Sequence, residues 1–414
     1  MAVLKKKIPN RRHDDVNHHD KAKANLAARN LGEEAFLSFF DAIIVGDIAE
    51  VDFDGSIKRA HMQFIWTWLS RDIKPEILQD LNGIVSVSAA KGVLQPVLVD
   101  LFAKASDAVL AGTQNPVAER HLIAQIGGEE VKDRLPIILN AFRTHTIFAK
   151  AINFGKASNK LKSEEELSEA LLSLPLKEPR ISPMLLHAIV GNSAEPSRLI
   201  LAATHIVGGS SEAVLKAGGF APLVEGILAH AQNQISIIDN QKGLFGDVDL
   251  VCKSIMRFHH LMRAVTGYVE MGRTSNWNKI ATKLTALMAQ RIEPRLNNVS
   301  FNVNASLRKP RNGPDVIDSE LSLSALNGLY LLSAIRLAKE SLALNAIFEK
   351  TWTEVGRNLE ILNDRNMELF KQNSADKIVS QRLDLGIEMA GLRFGKEYAE
   401  VLGKAKETVG RRQK

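Results

Sequence analysis

Apolar residues recur along nearly the whole chain three or four positions apart, with polar residues between them, which is the spacing of α-helices that bury one face. From Glu33, the residues Ala35, Phe36, Phe39, Phe40 and Ile43 share such a face, and Phe64, Ile65, Trp68 and Leu69 mark a second helix from about Ile57. The two are expected to close as a hairpin. Helical segments continue at 75–81, 96–110, 116–126 and 131–148, separated by Asn82-Gly83, Gly112 and Gly127-Gly128. Several open on a proline, whose missing N–H costs nothing in a first turn. The pattern resumes at 183–190, 196–207, 211–217, 221–232, 248–268 and 277–290.

Two stretches break the rhythm. Lys156 to Lys162 is polar; Ser163 and Glu166 then form a capping box before a short helix, and Pro175, Pro179 and Pro183 punctuate the chain beyond it. Between 296 and 316 the chain gathers Asn297, Asn298, Asn302, Asn304, Pro310, Asn312, Gly313 and Pro314, which predicts its longest loop, with Val299, Phe301 and Val303 alternating as a short strand would. Beyond Asp318, Leu323, Tyr330, Leu337 and Leu344 fall seven apart, with Leu326 and Ile347 on the adjacent seam. Ser333 and Glu340 interrupt that second position, so a bundle helix is expected more than a clean coiled coil. A last amphipathic stretch, 378–402, carries Gly386, Gly391 and Gly395.

The expected fold is all-α: an irregular multi-helix bundle or a short solenoid-like stack of helical hairpins. Its parts would be a basic flexible arm (1–29), an N-terminal helical region (30–155), a proline-rich polar joint (156–184), a central helical region (185–296), a loop (297–317) and a C-terminal helical region with a basic tail (318–414). Within the central region, Leu201-Ala202-Ala203, then Gly208-Gly209, then the run from Glu212 through Gly218-Gly219 to Pro222-Leu223-Val224 lie inside 198–234. This resembles an armadillo repeat, in which a helix ends on a glycine pair and Pro-Leu-Val opens the next. One copy is present, where a stacked solenoid needs about three. The resemblance implies a helical repeat whose extended surface binds a protein partner.

Composition narrows the class. Cys252 is the only cysteine, which excludes an intrachain disulfide framework and any multi-cysteine zinc or iron–sulfur site, and points to a reducing, cytoplasmic setting. Lys5, Lys6 and Lys7 run into Arg11, Arg12 and His13 with no apolar segment behind them, so no Sec signal is expected. The most apolar stretch, 328–338, is interrupted by Arg336, so no membrane span is expected either. Residues 1–30 hold eight Lys or Arg against three Asp, and 403–414 hold five against one; with an overall charge of +6, the body between them is mildly acidic.

The basic ends suit electrostatic binding of polyanions. Lys5, Lys6, Lys7, Arg11 and Arg12, with the internal loop residues Arg308, Lys309 and Arg311, are therefore the nucleic-acid-binding candidates, and Arg291 and Arg295 lie just upstream of that loop. Glu50, Asp52, Asp54 and Gly55 match the first positions of an EF-hand loop, but position twelve is His61 where a bidentate Glu is needed, so no calcium site is expected. His13, Asp14, Asp15, His18, His19 and Asp20 form an adventitious chelating cluster at most. His259 and His260, about 100° apart on a helix, are expected to be one buried and one exposed. Cys252, among Val248, Leu250, Val251 and Ile255, is expected to be a buried inert thiol.

No nucleophile elbow, phosphate-binding loop, zincin helix or dinucleotide fingerprint occurs. No catalytic residue, metal or cofactor is assigned. The leading expectation is a non-enzymatic helical interaction or scaffold protein that binds a protein partner. A nucleic-acid-associated protein comes second, and an enzyme with a dispersed all-helical site third.

Overall fold

A computed structural model describes residues 27–412 apart from 48, 242, 244, 245 and 311–314. The described chain is helical nearly throughout, as its periodicity requires. Its strands are two residues long, β1 (Ile44–Val45) paired in parallel with β2 (Ile57–Lys58). The helices sort into two compact units, one of residues up to 47, 52–160 and 174–193, the other of 48–51, 161–173 and 194 onward.

In the first unit, α1 (27–37) and α2 (Arg59–Trp68) run antiparallel, the hairpin foreseen from their apolar faces. Gln63 donates to Glu33 Oε1 at 2.6 Å at one level, and Arg29 donates to Thr67 Oγ1 at 3.0 Å at the next. Around them stand α3 (Ile77–Asp80), α4 (Val87–Leu94), α5 (Leu98–Gly112), α6 (Pro116–Ile126), α7 (Glu129–Thr144) and α8 (Ile147–Ser158). The core is aromatic. Phe36 stacks on Trp66 at 5.2 Å, and Phe102 lies nearly parallel to Phe142, with ring centroids 4.1 Å apart.

The second unit opens with α9 (Glu164–Leu172), whose capping box forms as its sequence requires. Ser163 Oγ accepts from the Glu166 N–H at 3.1 Å, while the Glu166 carboxylate accepts from the Lys162 N–H at 3.2 Å. The next helix, α10 (Ser182–Asn192), belongs instead to the first unit, where it packs on α8; the central region expected from residue 185 therefore begins one helix later. There α11 (Pro196–Val207) ends on Gly208 in the left-handed conformation (φ 70°), and α12 (Glu212–Ala217) and α13 (Ala221–Asn240) complete a helix–glycine–helix corner. The remaining helices are α14 (Val248–Tyr268), α15 (Asn276–Leu296), α16 (Val299–Leu307), α17 (Ser319–Ala338), α18 (Asn345–Gln372), α19 (Lys377–Phe394) and α20 (Lys396–Arg412).

One expectation is corrected. The stretch read as a loop over 297–317 holds α16, not a strand. Val299, Val303 and Leu307 are buried at helical spacing, while Phe301, the middle of the supposed alternation, is 68% exposed. Tertiary contacts override the poor helix propensity of asparagine here: Asn302 donates to Ser324 Oγ at 2.8 Å, and buried Asn366 on α18 donates to the Leu307 carbonyl at 3.1 Å. The basic tail is helical as far as it is described. It forms most of α20, and Lys406 reaches Asp384 of α19 at 2.6 Å. Finally, one described helical stretch, Ser319–Ser341, is long and apolar enough to cross a membrane by length and composition; half of its most apolar window is buried inside the fold.

Candidate interaction surface

The seven-residue spacing in α17 is real, but its side is unexpected. Leu323, Tyr330 and Leu337 are 37%, 47% and 68% exposed, whereas Leu344, the next in register, is buried. Ala325, Leu329, Leu332 and Ile335 line the opposite face of α17 and are buried, and the helix packs on α14, α16 and α19. Because α17 is apolar nearly all round, the packed face satisfies the fold and a second apolar stripe is left in solvent.

Beside Leu337 the stripe meets a cleft of about 470 Å³ between α14 and α17. Ala194, Cys252, Met256 and Ala334 line it, with Lys253 and His260 at its rim. Cys252 is half-buried, and burial, with the Asp249 carboxylate adding to it, pushes its thiol up to about 11. At neutral pH it is a protonated wall of the cleft, not a nucleophile. Lys253 is held by Asp249 at 2.5 Å, and Arg257, whose pKa burial lowers, donates to the Ala194 carbonyl at 3.1 Å. Of the paired histidines, His259 is half-buried and bonds Ser341 Oγ at 2.9 Å, and His260 is exposed. Burial lowers the pKa of His259, with the neighbouring His260 adding to the effect.

The other candidates read from the sequence are dispersed. Glu50 pairs with Lys283 at 2.6 Å and Asp52 with Lys58 at 3.5 Å, while Asp54 lines a separate cleft. The amide N–H groups of Glu50 and Val51 both donate to Gln232 Oε1, each at 3.1 Å, so this stretch is fixed to α13 by hydrogen bonds. Among the described residues no three His, Cys, Asp or Glu side chains gather to hold a metal ion. Arg308 is exposed, and Lys309 pairs with Asp315 at 3.7 Å. Arg291 and Arg295 are each engaged by other groups. Arg291 pairs with Asp239 at 2.9 Å, and Arg295 donates to the Ile238 and Gln241 carbonyls at 2.9 and 2.7 Å, closing the C-terminal end of α13. Lys5, Lys6, Lys7, Arg11, Arg12 and Arg311, and the cluster from His13 to Asp20, lie outside the described residues.

A cleft of about 640 Å³ in the first unit combines Leu135, Pro136 and Met184 with Asp54, Lys132 and Arg143. Lys132 is engaged by Glu119 at 2.7 Å, a bond that raises its pKa. No histidine, cysteine or serine lines this cleft. Comparison of the chain with protein-family models, with curated proteins and with solved structures returns no match.

The α14 wall of the cleft was not legible as part of a site. By sequence Cys252 is expected in the core, and Met256, four residues on, carries no signal of its own; only their meeting with α17 makes them the side of a groove.

Proposed function

We propose that this protein is a non-enzymatic helical interaction module, and that the exposed stripe Leu323–Tyr330–Leu337 with the adjoining Cys252–Met256 cleft docks a helix of a partner protein. The observation that carries the reading is three large apolar side chains in heptad register, all open to solvent on one face of a helix whose other face is packed. The same register specifies the partner. A helix with leucine every third and fourth residue would set its side chains between these, as amphipathic helices do in apolar grooves. Lys253, paired with Asp249 on its own helix, and His260 line the cleft, where an acidic flank on that helix would compete for the lysine. The corner α11–α12–α13 is the stretch whose sequence resembles one armadillo repeat, and we take it as a structural unit of the scaffold.

The nucleic-acid reading gains no comparable support. Lys309, Arg291 and Arg295 are each engaged within the fold.

The test is fluorescence anisotropy of a labelled synthetic amphipathic peptide, leucine at heptad spacing and glutamate at its flanks, titrated with the full chain. Binding at about micromolar strength, weakened at least about tenfold by Leu337→Glu, is expected. Absence of binding, or equal binding by the variant, would overturn the proposal. So would a chain that dimerises through this face and loses its dimer with the same substitution.

A further inference from the structure

Three cations converge on one aromatic stack elsewhere in the second unit. Phe348 and Trp352, one turn apart on α18, stack with centroids 5.5 Å apart and planes 25° from parallel. The Arg393 guanidinium lies 3.9 Å from the Trp352 ring centroid and donates Nε–H to the Trp352 carbonyl at 3.1 Å. It is pressed close to α18. A Cβ on Gly356 would fall 2.9 Å from its Nη2, so a larger residue there would push the guanidinium aside. From α17 and the turn after it, Arg336 approaches the same indole at 5.3 Å, and the Lys339 ammonium stands 5.8 Å from the Phe348 centroid.

These groups, with Glu349 and Phe394, bound a pocket of about 390 Å³. Its charge is unbalanced. Glu349, the one acid in the wall, is engaged by Lys339 at 3.0 Å, while Arg336 and Arg393 have no ion-pair partner among the described residues. Burial lowers the pKa of Arg393 and the charge of Arg336 lowers it further, while Glu360, beyond ion-pair distance, opposes them in part. A guanidinium presents a planar fork of donors that fits the oxygens of a phosphate better than a point charge does. Two such forks on one indole, with an ammonium beside them, form a receptor for a dianion.

We infer that the pocket of Arg336, Lys339, Trp352 and Arg393 binds a phosphate group, free or carried as a phosphomonoester, between the two guanidiniums. Nothing in this inference depends on a helix docking at Leu337. Glu349 sets the selectivity, holding Lys339 in place while repelling a ligand of higher charge density on that side.

The experiment is titration of the full chain with inorganic phosphate and, separately, with adenosine monophosphate, followed by calorimetry and by tryptophan emission at constant ionic strength held with sodium chloride. Trp66, Trp68 and Trp277 are at most 1% exposed and Trp352 is half-buried, so a phosphate-dependent change in emission reports this pocket. Saturable binding with Kd of about 1 mM or tighter is expected. Arg336→Gln, which removes an exposed side chain and whose fold is checked by circular dichroism, should weaken it about tenfold. Glu349→Gln should strengthen it about threefold. Tighter binding of the monophosphate identifies a phosphomonoester, and equal binding identifies phosphate itself. No saturable signal with either probe, or an Arg336→Gln chain that binds as tightly as the parent, overturns the inference.

Discussion

The aromatic core of the first unit and the outer face of α17 begin from the same signal, large apolar side chains repeating at helical spacing, and end in opposite places. Phe36, Phe40, Trp66, Phe102 and Phe142 find one another within the chain and are removed from water. Leu323, Tyr330 and Leu337 find no such cover among the described residues. Periodicity says which side chains share a face. It does not say whether the surface that covers that face lies in the same molecule.

That contrast is broken most strongly from the core side. Phe142 touches Phe36, Phe40 and Phe102, so Phe142→Ala removes a ring from the centre of the cluster and should cost about 3–5 kcal/mol, read as a lower denaturation midpoint. A smaller loss, about 1–3 kcal/mol by the same measurement, is expected for Asn366→Ala, which leaves the Leu307 carbonyl at the end of α16 buried without its donor. At the exposed stripe, Tyr330→Ala and Leu337→Ala should change stability by no more than about 0.5 kcal/mol. A large destabilisation there would mean that the stripe serves the fold and not a partner.

Cys252 sharpens the comparison by pH. Its pKa is raised in the folded chain from 9.0 to about 11, so both states are protonated below 9 and its contribution to stability is then complete. Between 9 and 11 the unfolded thiol ionises while the folded one stays protonated, which favours the unfolded chain, so stability falls as pH rises through this window and levels off above it. The decline attributable to this group is the difference between the parent and Cys252→Ser in urea titrations at stepped pH. At pH 8 the folded thiol should also react with a disulfide reagent about 100-fold more slowly than the unfolded chain, in proportion to its thiolate fraction.

Much of the fold was legible because local and tertiary demands agree. The Ser163–Glu166 cap, the α1–α2 hairpin and the glycine that ends α11 each arise from short-range chemistry that the packing does not contradict. At α16 they conflict. Val299, Phe301 and Val303 fit a strand, and Val299, Val303 and Leu307 fit a helix equally well; only the contacts of Asn302 and Asn366 with other segments decide. Charge misled for a related reason. A count of lysines and arginines carries no information on where their carboxylate partners sit, so Lys406, Arg291 and Lys309 read as free cations although each is paired. The surface of α17 was half legible. Its spacing was evident, but which way it faces depends on how α14 and α16 cover the other side.

Docking of a partner helix on the outer face of α17 is tested most directly by the anisotropy titration of the acidic amphipathic peptide with the parent chain and with Leu337→Glu. Micromolar binding by the parent is expected, with at least about a tenfold loss in the variant and its fold unchanged by circular dichroism. Equal affinities, or no binding by either, would contradict it.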